Sequence, residues 1–275
     1  MHGKQTLQNQ PIFSGAHYKF RNSGRGNYLT APYRWSGSYY AYTGIDTPNS
    51  PPKPHKLVKK SGDGIIHYGD ELYILASIGG ADSYLRSPSS ADCWYESGDS
   101  PGAAHTWCIT GGQPGTRVMA GDTVQLASKD PGFNGYFMVP LGDAGYVQVQ
   151  SNPDNKDWSL ALQDNVDFVI AEDLSFWPGG ISKTRGQEVT AYVAAGQTLY
   201  YWRKDSNGHY IPISPFTNGR TNSGQLGRGR HGLGSLALSA GQKVYVTAGS
   251  SAAHPPVGEG SPGEINVGSG SGDDR

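Results

Sequence analysis

One short pattern runs three times through the first two thirds of this chain: Asn27-Tyr28-Leu29-Thr30, Ser83-Tyr84-Leu85-Arg86 and Gly135-Tyr136-Phe137-Met138. Its tyrosines are spaced by 84 − 28 = 56 and 136 − 84 = 52 residues. A fixed period of this length restricts the architecture before any single residue is interpreted, because each copy is one supersecondary unit that buries its apolar face only against its neighbours. Three copies imply a pseudo-threefold object with up to three related surface sites.

Aligning the copies gives four candidate strands in each. They run over 18–22, 27–31, 39–43 and 55–59, then 72–76, 83–87, 93–97 and 106–110, then 124–128, 136–139, 146–150 and 158–162. Most alternate apolar with polar residues, which sends one face inward and the other to water. The intervening segments carry Gly, Asn, Asp, Ser and Pro, residues that supply turn geometry. No stretch shows a sustained helical stripe, so the chain reads as all-β. Gly69-Asp70 and Gly121-Asp122 mark tight turns before the first strand of copies two and three, whereas copy one has Gly15-Ala16 there.

Three four-stranded copies with Tyr-Leu in the second strand and Trp in the fourth resemble a β-trefoil of the ricin-B, MIR or fascin-like kind. The resemblance covers about Ile12 to Ile170 and sets the expected copies at 12–64, 65–117 and 118–172, after an N-terminal tail at 1–11. Ricin-B lectins carry Gln-x-Trp near the end of each copy. The equivalents here are Lys53-Pro-His55, His105-Thr-Trp107 and Lys156-Asp-Trp158, so the Gln is absent throughout and the Trp is missing once. The expected core includes Tyr28, Tyr84, Leu85, Trp107, Tyr136 and Trp158.

After Ile170 the period is lost. Phe176-Trp-Pro-Gly-Gly180 reads as a linker (173–180) to a smaller β-sandwich-like domain (181–267), followed by a Gly/Ser/Asp-rich flexible tail (268–275). Strand candidates there are 188–193, 198–202, 234–238, 243–247 and 264–267. Their order resembles the galactose-binding β-sandwich of bacterial lectins, without that family's calcium-ligand cluster. Limited proteolysis is expected to cut near Gly179-Gly180 or within the loop from Asn218 to Gly229.

With charged residues at only 16% and a net charge of −1, below the ~25% of ordinary domains, the chain offers no reason to expect nucleic acid or an anionic membrane. The start of the chain is polar and no run of 18 apolar residues occurs, so neither a signal peptide in this chain nor membrane insertion is expected; a cytoplasmic protein, one released without a signal, and a mature form whose signal was removed all fit. Cys93 and Cys108 lie on neighbouring strands of one copy, and a bridge or two free thiols both fit. Zinc-type spacings, phosphate loops and dinucleotide fingerprints are missing. Gly268-Ser-Gly-Ser271-Gly272 matches a nucleophile elbow only in letters, because it lacks the strand and helix that form the elbow. The expectation is no enzyme, no cofactor and no metal.

Binding remains, and the residue types suit sugars, whose CH faces stack on aromatic rings and whose hydroxyls pair with Asp, Asn or Gln. The first inter-strand loop holds Asn22 and Asn27 in copy one, Asp82 in copy two, and Asp130 and Asn134 in copy three. Aromatics follow at Tyr40, Trp94 and Tyr146. In trefoil lectins, which this chain resembles, such a polar group and such an aromatic line one pocket. The sequence therefore points to a lectin whose partners are glycans, multivalent through the trefoil copies, mainly the second (Asp82 with Trp94) and third (Asp130 and Asn134 with Tyr146), with a β-sandwich that adds a second site or a homodimer contact. The alternative is a protein-interaction or toxin-targeting module built on a fascin-like trefoil.

Overall fold

The computed structural model describes residues 10–46, 52–62, 64–87, 92–98, 100–142, 145–163, 166–217, 225–249, 256 and 263–269. The chain divides into two compact units, Met1–Gln163 and Asp164–Arg275. Both are all-β; the described residues contain one 3₁₀ turn (Ala103–His105) and no α-helix.

In unit 1 the first repeat supplies β1 (His17–Asn22), β2 (Tyr28–Leu29), β3 (Tyr33–Trp35), β4 (Ser38–Tyr40), β5 (Tyr42–Gly44) and β6 (His55–Lys59). The second supplies β7 (Glu71–Ile78), β8 (Ala81–Arg86), β9 (Trp94–Glu96) and β10 (Trp107–Thr110). The third supplies β11 (Thr123–Ser128), β12 (Phe137–Pro140), β13 (Gly145–Gln150) and β14 (Trp158–Leu162). The first and last strands of the repeats pair in a ring, β1–β6–β7–β10–β11–β14–β1, which closes a six-stranded barrel. The hairpins β2–β5, β8–β9 and β12–β13 cap one end. This is the β-trefoil plan, to which β3 and β4 add one hairpin.

Alternation fills the barrel: Tyr18 and Phe20, Leu57, Leu72 and Ile74, Trp107 and Ile109, Val124 and Leu126, and Trp158 and Leu160 are all buried. The two tryptophans tie barrel to cap in the same way. Trp107 Nε1 donates to Leu85 O at 3.0 Å and Trp158 Nε1 to Met138 O at 2.9 Å. His55 occupies the third equivalent position, fully buried, with Nε2 2.7 Å from Tyr95 Oη and Nδ1 3.1 Å from Lys53 O. At the end opposite the cap, Ile12, Ile66 and Val118 join in a ring of backbone bonds: Ile12 N to Val118 O (2.8 Å), Val118 N to Ile66 O (3.0 Å) and Ile66 N to Ile12 O (2.8 Å).

The turns before the first strands are equivalent too. Asp70 and Asp122 accept from His67 N (2.8 Å) and Met119 N (2.9 Å), and in copy one the Tyr18 hydroxyl accepts from Phe13 N at 2.7 Å. Copy one thus keeps the turn without the aspartate.

Three core expectations are corrected. Tyr28 and Tyr84 are half-buried and Tyr136 is 36% exposed, while Leu29, Leu85 and Met138 are buried. Adjacent strand residues face opposite sides, so in Tyr-Leu the leucine takes the interior, and copy three aligns through Phe137-Met138 rather than Tyr136-Phe137. The tail expected at 1–11 also contributes structure, since Pro11 bridges Met119 and Gln10 O accepts from Ala120 N at 2.7 Å.

Unit 2 contains β15 (Phe168–Ile170), β16 (Phe176–Trp177), β17 (Gly180–Lys183), β18 (Glu188–Val193), β19 (Thr198–Lys204), β20 (Tyr210–Pro212), β21 (Phe216–Thr217), β22 (Gly229–Leu236), β23 (Lys243–Gly249) and β24 (Gly263–Val267). They form two five-stranded sheets, β16-β15-β18-β22-β21 and β17-β24-β23-β19-β20. Residues of both sheets, among them Phe168, Val189, Leu199, Tyr201, Val244 and Ile265, share one core, which makes a sandwich. The expected linker is corrected: Phe176 and Trp177 pair with Ile170 and Val169, and Gly180 opens a strand that runs parallel to β24. A turn at 171–175, in which Asp173 Oδ1 accepts from Ser175 N at 3.3 Å, brings the chain straight back. The boundary accordingly falls at Gln163, before β15, and not near 172. The expected tail starts after Gly268, whose N–H donates to Lys183 O at 2.8 Å; residues 270–275 lie outside the described residues, as do 218–224 of the loop expected to be cleaved.

Candidate functional site

The cap of the trefoil is closed by a second ring of backbone hydrogen bonds. Ala41 N donates to Cys93 O (2.9 Å), Cys93 N to Val147 O (2.8 Å) and Val147 N to Ala41 O (2.9 Å). All three side chains are fully buried, so their flanking residues must face the other way. Those neighbours meet across the repeats as three antiparallel pairs: Tyr40 with Trp94, Asp92 with Gln148, and Tyr146 with Tyr42. Residues from all three copies therefore converge around the pseudo-threefold axis.

Two of the pairs are aromatic. The Tyr146 ring is the hub, with centroids 5.5 Å from Tyr40, 5.7 Å from Tyr42 and 6.1 Å from Tyr33, at steep interplanar angles. Tyr33, directly across β3–β4 from Tyr40, lies 5.4 Å from Tyr42. Such edge-to-face contacts are worth ~0.5–1.5 kcal/mol each beyond burial, and they fix the rings. The third pair is polar: Gln148 Nε2 donates to Asp92 Oδ1 at 2.8 Å. Burial raises the Tyr146 phenol, and Tyr33, Asp92, Tyr42 and Tyr40 push in the same direction. At neutral pH its hydroxyl keeps its proton and is a hydrogen-bond donor.

The Trp94 edge of the cap is anchored by Glu96. Its Oε1 accepts from Arg86 Nη1 at 2.6 Å and Trp94 Nε1 at 3.3 Å, and its Oε2 lies 2.9 Å from His105 Nε2. Partial burial acts to raise the Glu96 carboxyl; the bonds from Arg86, His105 and Trp94 outweigh it and hold the group below the usual carboxylate range. The Arg86 guanidinium sits over the Trp94 ring at 5.0 Å. Next to the cap, Ser36 and Gly37 take positive φ (47° and 87°) at the tip of the β3–β4 hairpin, the geometry of tight two-residue turns. That hairpin leaves Trp35 59% and Tyr33 43% exposed.

The aromatics expected from the sequence, Tyr40, Trp94 and Tyr146, come together here; the polar residues expected beside them do not. The Asn22 amide is buried and donates to Asn155 O (2.7 Å) and Asp157 O (3.1 Å), while its oxygen accepts from Arg25 N (3.0 Å). Asn27 is buried and donates to Thr43 Oγ1 (3.1 Å) and Gly142 O (3.3 Å). Both amides hold loops together. Asp82 lies 86 − 82 = 4 residues from the register partner of Trp94, ~13 Å along the strand at about 3.3 Å per residue. It pairs instead with Lys56 at 2.9 Å, on a separate cleft of about 400 Å³ that His17, Lys53 and Ser77 also line. Asp130 Oδ1 caps its own loop through Gly132 N at 2.8 Å. Asp130 and the exposed Asn134 precede β12, whereas Tyr146 lies beyond the far end of that strand, past the Pro140–Val147 pair.

Tyr33, Tyr42, Asp92 and Gln148 are site residues that the sequence reading missed. The signal was present in the triplets Tyr40-Ala-Tyr42, Asp92-Cys-Trp94 and Tyr146-Val-Gln148, whose centres are spaced by 93 − 41 = 52 and 147 − 93 = 54 residues. Cys93 and Cys108 are unbridged, and burial pushes the Cys93 thiol far up. Among the described residues no group of His, Cys, Asp and Glu is arranged to hold a metal ion, and no helix is long and apolar enough to cross a membrane.

No protein-family model matches this chain, and no curated protein matches it. Solved structures resemble it at low scores. A Caenorhabditis elegans protein of unknown function matches with a TM-score of 0.45 and 14% identity over 55% of this chain and 96% of its own. The SDF2-like protein from Arabidopsis thaliana matches at 0.43 and 15% over 55% and 95%. The lysenin pore matches at 0.43 and 17%, over 57% of this chain and 49% of its own. Such distant likenesses say nothing about the ligand.

Proposed function

We propose that unit 1 is a carbohydrate-binding trefoil, a lectin whose site is the axial cap. The observation that carries this reading is the hydrogen-bonded Asp92–Gln148 pair beside the Tyr146 hub. Clustered tyrosine rings and an acceptor–donor pair on one patch match the two kinds of group on a pyranose: CH groups for the rings, adjacent hydroxyls for carboxylate and amide. The rings and the pair are already held by cross-repeat contacts, so little ordering cost is left for ligand binding. In this reading one axial site per trefoil takes the place of the loop sites expected mainly in copies two and three, and multivalency then depends on several chains on one surface.

A glycan array followed by calorimetry on the best ligand tests this. Asp92→Ala and Tyr146→Ala are each expected to weaken binding about tenfold or more, the order of a lost hydrogen-bonded contact (~1–3 kcal/mol). Tyr146→Phe retains the ring and is expected to lose less. Unaltered affinity in a folded Asp92→Ala/Tyr146→Ala protein refutes the site.

The exposed Trp35 and Tyr33 on a hairpin outside the trefoil plan favour a second reading, a protein-contact surface. Partner binding that is insensitive to free sugar and lost in Trp35→Ala would support it.

A further inference from the structure

The outer wall of the unit 1 barrel carries a cleft that the axial cap does not use. It holds about 400 Å³, within the range of small-molecule sites. Strand register shows which side chains share it. His17 pairs with Lys56 and Lys56 with Leu75 across β1, β6 and β7, and Ser77 pairs with Asp82 across β7 and β8. Register partners project from the same face of a sheet, as do residues two apart on one strand. His17, Lys56, Leu75, Ser77 and Asp82 therefore share one face, opposite to that of the buried Tyr18, His55, Leu57 and Ile74. The 2.9 Å bond from Lys56 Nζ to Asp82 Oδ2 shows that the two side chains meet across β7.

Leu75 faces outward yet is only 4% exposed. It forms an apolar floor, and Pro32 and Pro54 line the cleft beside it. His55 backs the cleft with both ring nitrogens engaged, by Tyr95 Oη and Lys53 O, so it is a wall rather than a polar contact. The outward polar groups differ. Among the described residues the His17 ring, the Ser77 hydroxyl and Asp82 Oδ1 make no hydrogen bond within the protein, and Lys53, an exposed lining residue, is in no ion pair. The lining sets two ammonium groups against one carboxylate. Asp82 balances Lys56, which leaves the charge of Lys53 uncompensated.

We propose that this cleft binds a small organic monoanion that carries a hydrocarbon ring or chain. Lys53, on a flexible four-carbon stem, and Lys56 attract the anionic group. The His17 ring and the Ser77 hydroxyl supply further donors, and Leu75 with the two prolines receives the hydrocarbon. A monoanion cancels the net charge of the lining, whereas Asp82 opposes a second negative charge. The cleft is separate from the axial cap, so its occupancy and the sugar reading stand or fall independently.

The test is an NMR titration of the ¹⁵N-labelled full chain with benzoate, benzenesulfonate, benzyl alcohol and acetate, at low and physiological salt. Saturable amide shifts confined to the cleft, at Lys56, Ser77 and Asp82 among others, are expected with the two aromatic anions. The tighter of the two identifies the anionic group. Benzyl alcohol, which lacks the charge, and acetate, which lacks the ring, bind more weakly, and added salt weakens the anions. Affinity falls about tenfold or more in Lys53→Gln/Lys56→Gln, the order of one hydrogen bond to a charged group. Lys56 and Asp82 are 33% and 43% exposed, so their ion pair contributes little to stability, and an unchanged melting temperature confirms that the variant folds. Should it melt early, Lys53→Gln alone gives the comparison. Benzyl alcohol or acetate binding as tightly as benzoate, undiminished affinity in the folded variant, or no saturable shift at millimolar concentration overturns the assignment.

Discussion

His55 makes the trefoil acid-labile within a defined window. It fills the barrel position held by Trp107 and Trp158 in the other repeats, packs edge-on to Phe20 with ring centroids 5.9 Å apart and stacks on Tyr95 at 5.8 Å. Burial lowers its pKa from 6.5 to about 4; the bond to Lys53 O opposes this and His17 adds to it. A lowered folded-state pKa means that the unfolded chain takes up the proton first. The contribution of His55 is therefore fully present above about pH 6.5, is lost at ~1.4 kcal/mol per unit as pH falls towards 4, and levels off below that. Between pH 7 and pH 5 the loss amounts to about 2 kcal/mol, a large share of the ~5–15 kcal/mol that holds a domain folded. His55→Phe keeps an aromatic ring but cannot titrate. It will be less stable at pH 7, because the Tyr95 hydroxyl loses its 2.7 Å partner, but it will lack this slope. Urea unfolding of both proteins at pH 7 and pH 5, followed by tryptophan emission, gives the difference, in which other titrating groups cancel. Parallel pH dependence in the two proteins would show that His55 does not carry the proton linkage.

Further outcomes are expected. Tyr18→Phe removes the acceptor 2.7 Å from the buried Phe13 amide and should cost about 1–3 kcal/mol in urea unfolding. Gly112→Ala places a Cβ 2.5 Å from the Tyr68 ring and should destabilise unit 1 by about 1–3 kcal/mol, with Tyr68 losing its 3.1 Å bond to Asp122 as seen by aromatic NMR shifts. A fragment ending at Gln163 should fold with a cooperative melt, because the barrel closes without β15; one ending at residue 172 should gain no stability. Protease should spare Gly179-Gly180, since Gly180 is register-paired with Glu264; rapid cleavage there would contradict the sheet.

The repeat and the alternation made the barrel legible in the sequence, including buried Leu85, Trp107 and Trp158. The register in copy three was not, because Gly-Tyr-Phe-Met mimics Asn-Tyr-Leu-Thr one residue out of phase. Only pairing decides which of two adjacent aromatics faces inward. Trp-Pro-Gly-Gly looked like a linker because its residues are turn formers; edge pairing with β15 and β24 overrode that local preference. The site was half legible. Aromatic residues at Tyr40, Trp94 and Tyr146 stood out, but the polar residues beside them, Asp92 and Gln148, lie two residues from Trp94 and Tyr146 rather than in the first inter-strand loops. Asn22 and Asn27 look like ligands in sequence, yet their amides close loops, a distinction that burial alone reveals.

The ring through Ala41, Cys93 and Val147 determines how recognition can diversify. Each outward pair takes one residue before the ring from one repeat and one residue after it from the next. A symmetric assembly of three identical copies would be bound to repeat one pair: Tyr–Tyr from the first, Asp–Trp from the second, Tyr–Gln from the third. Joining three diverged copies in one chain lifts that constraint. The axis then presents three different pairs on an unchanged barrel, and a substitution in one repeat edits a junction shared with its neighbour.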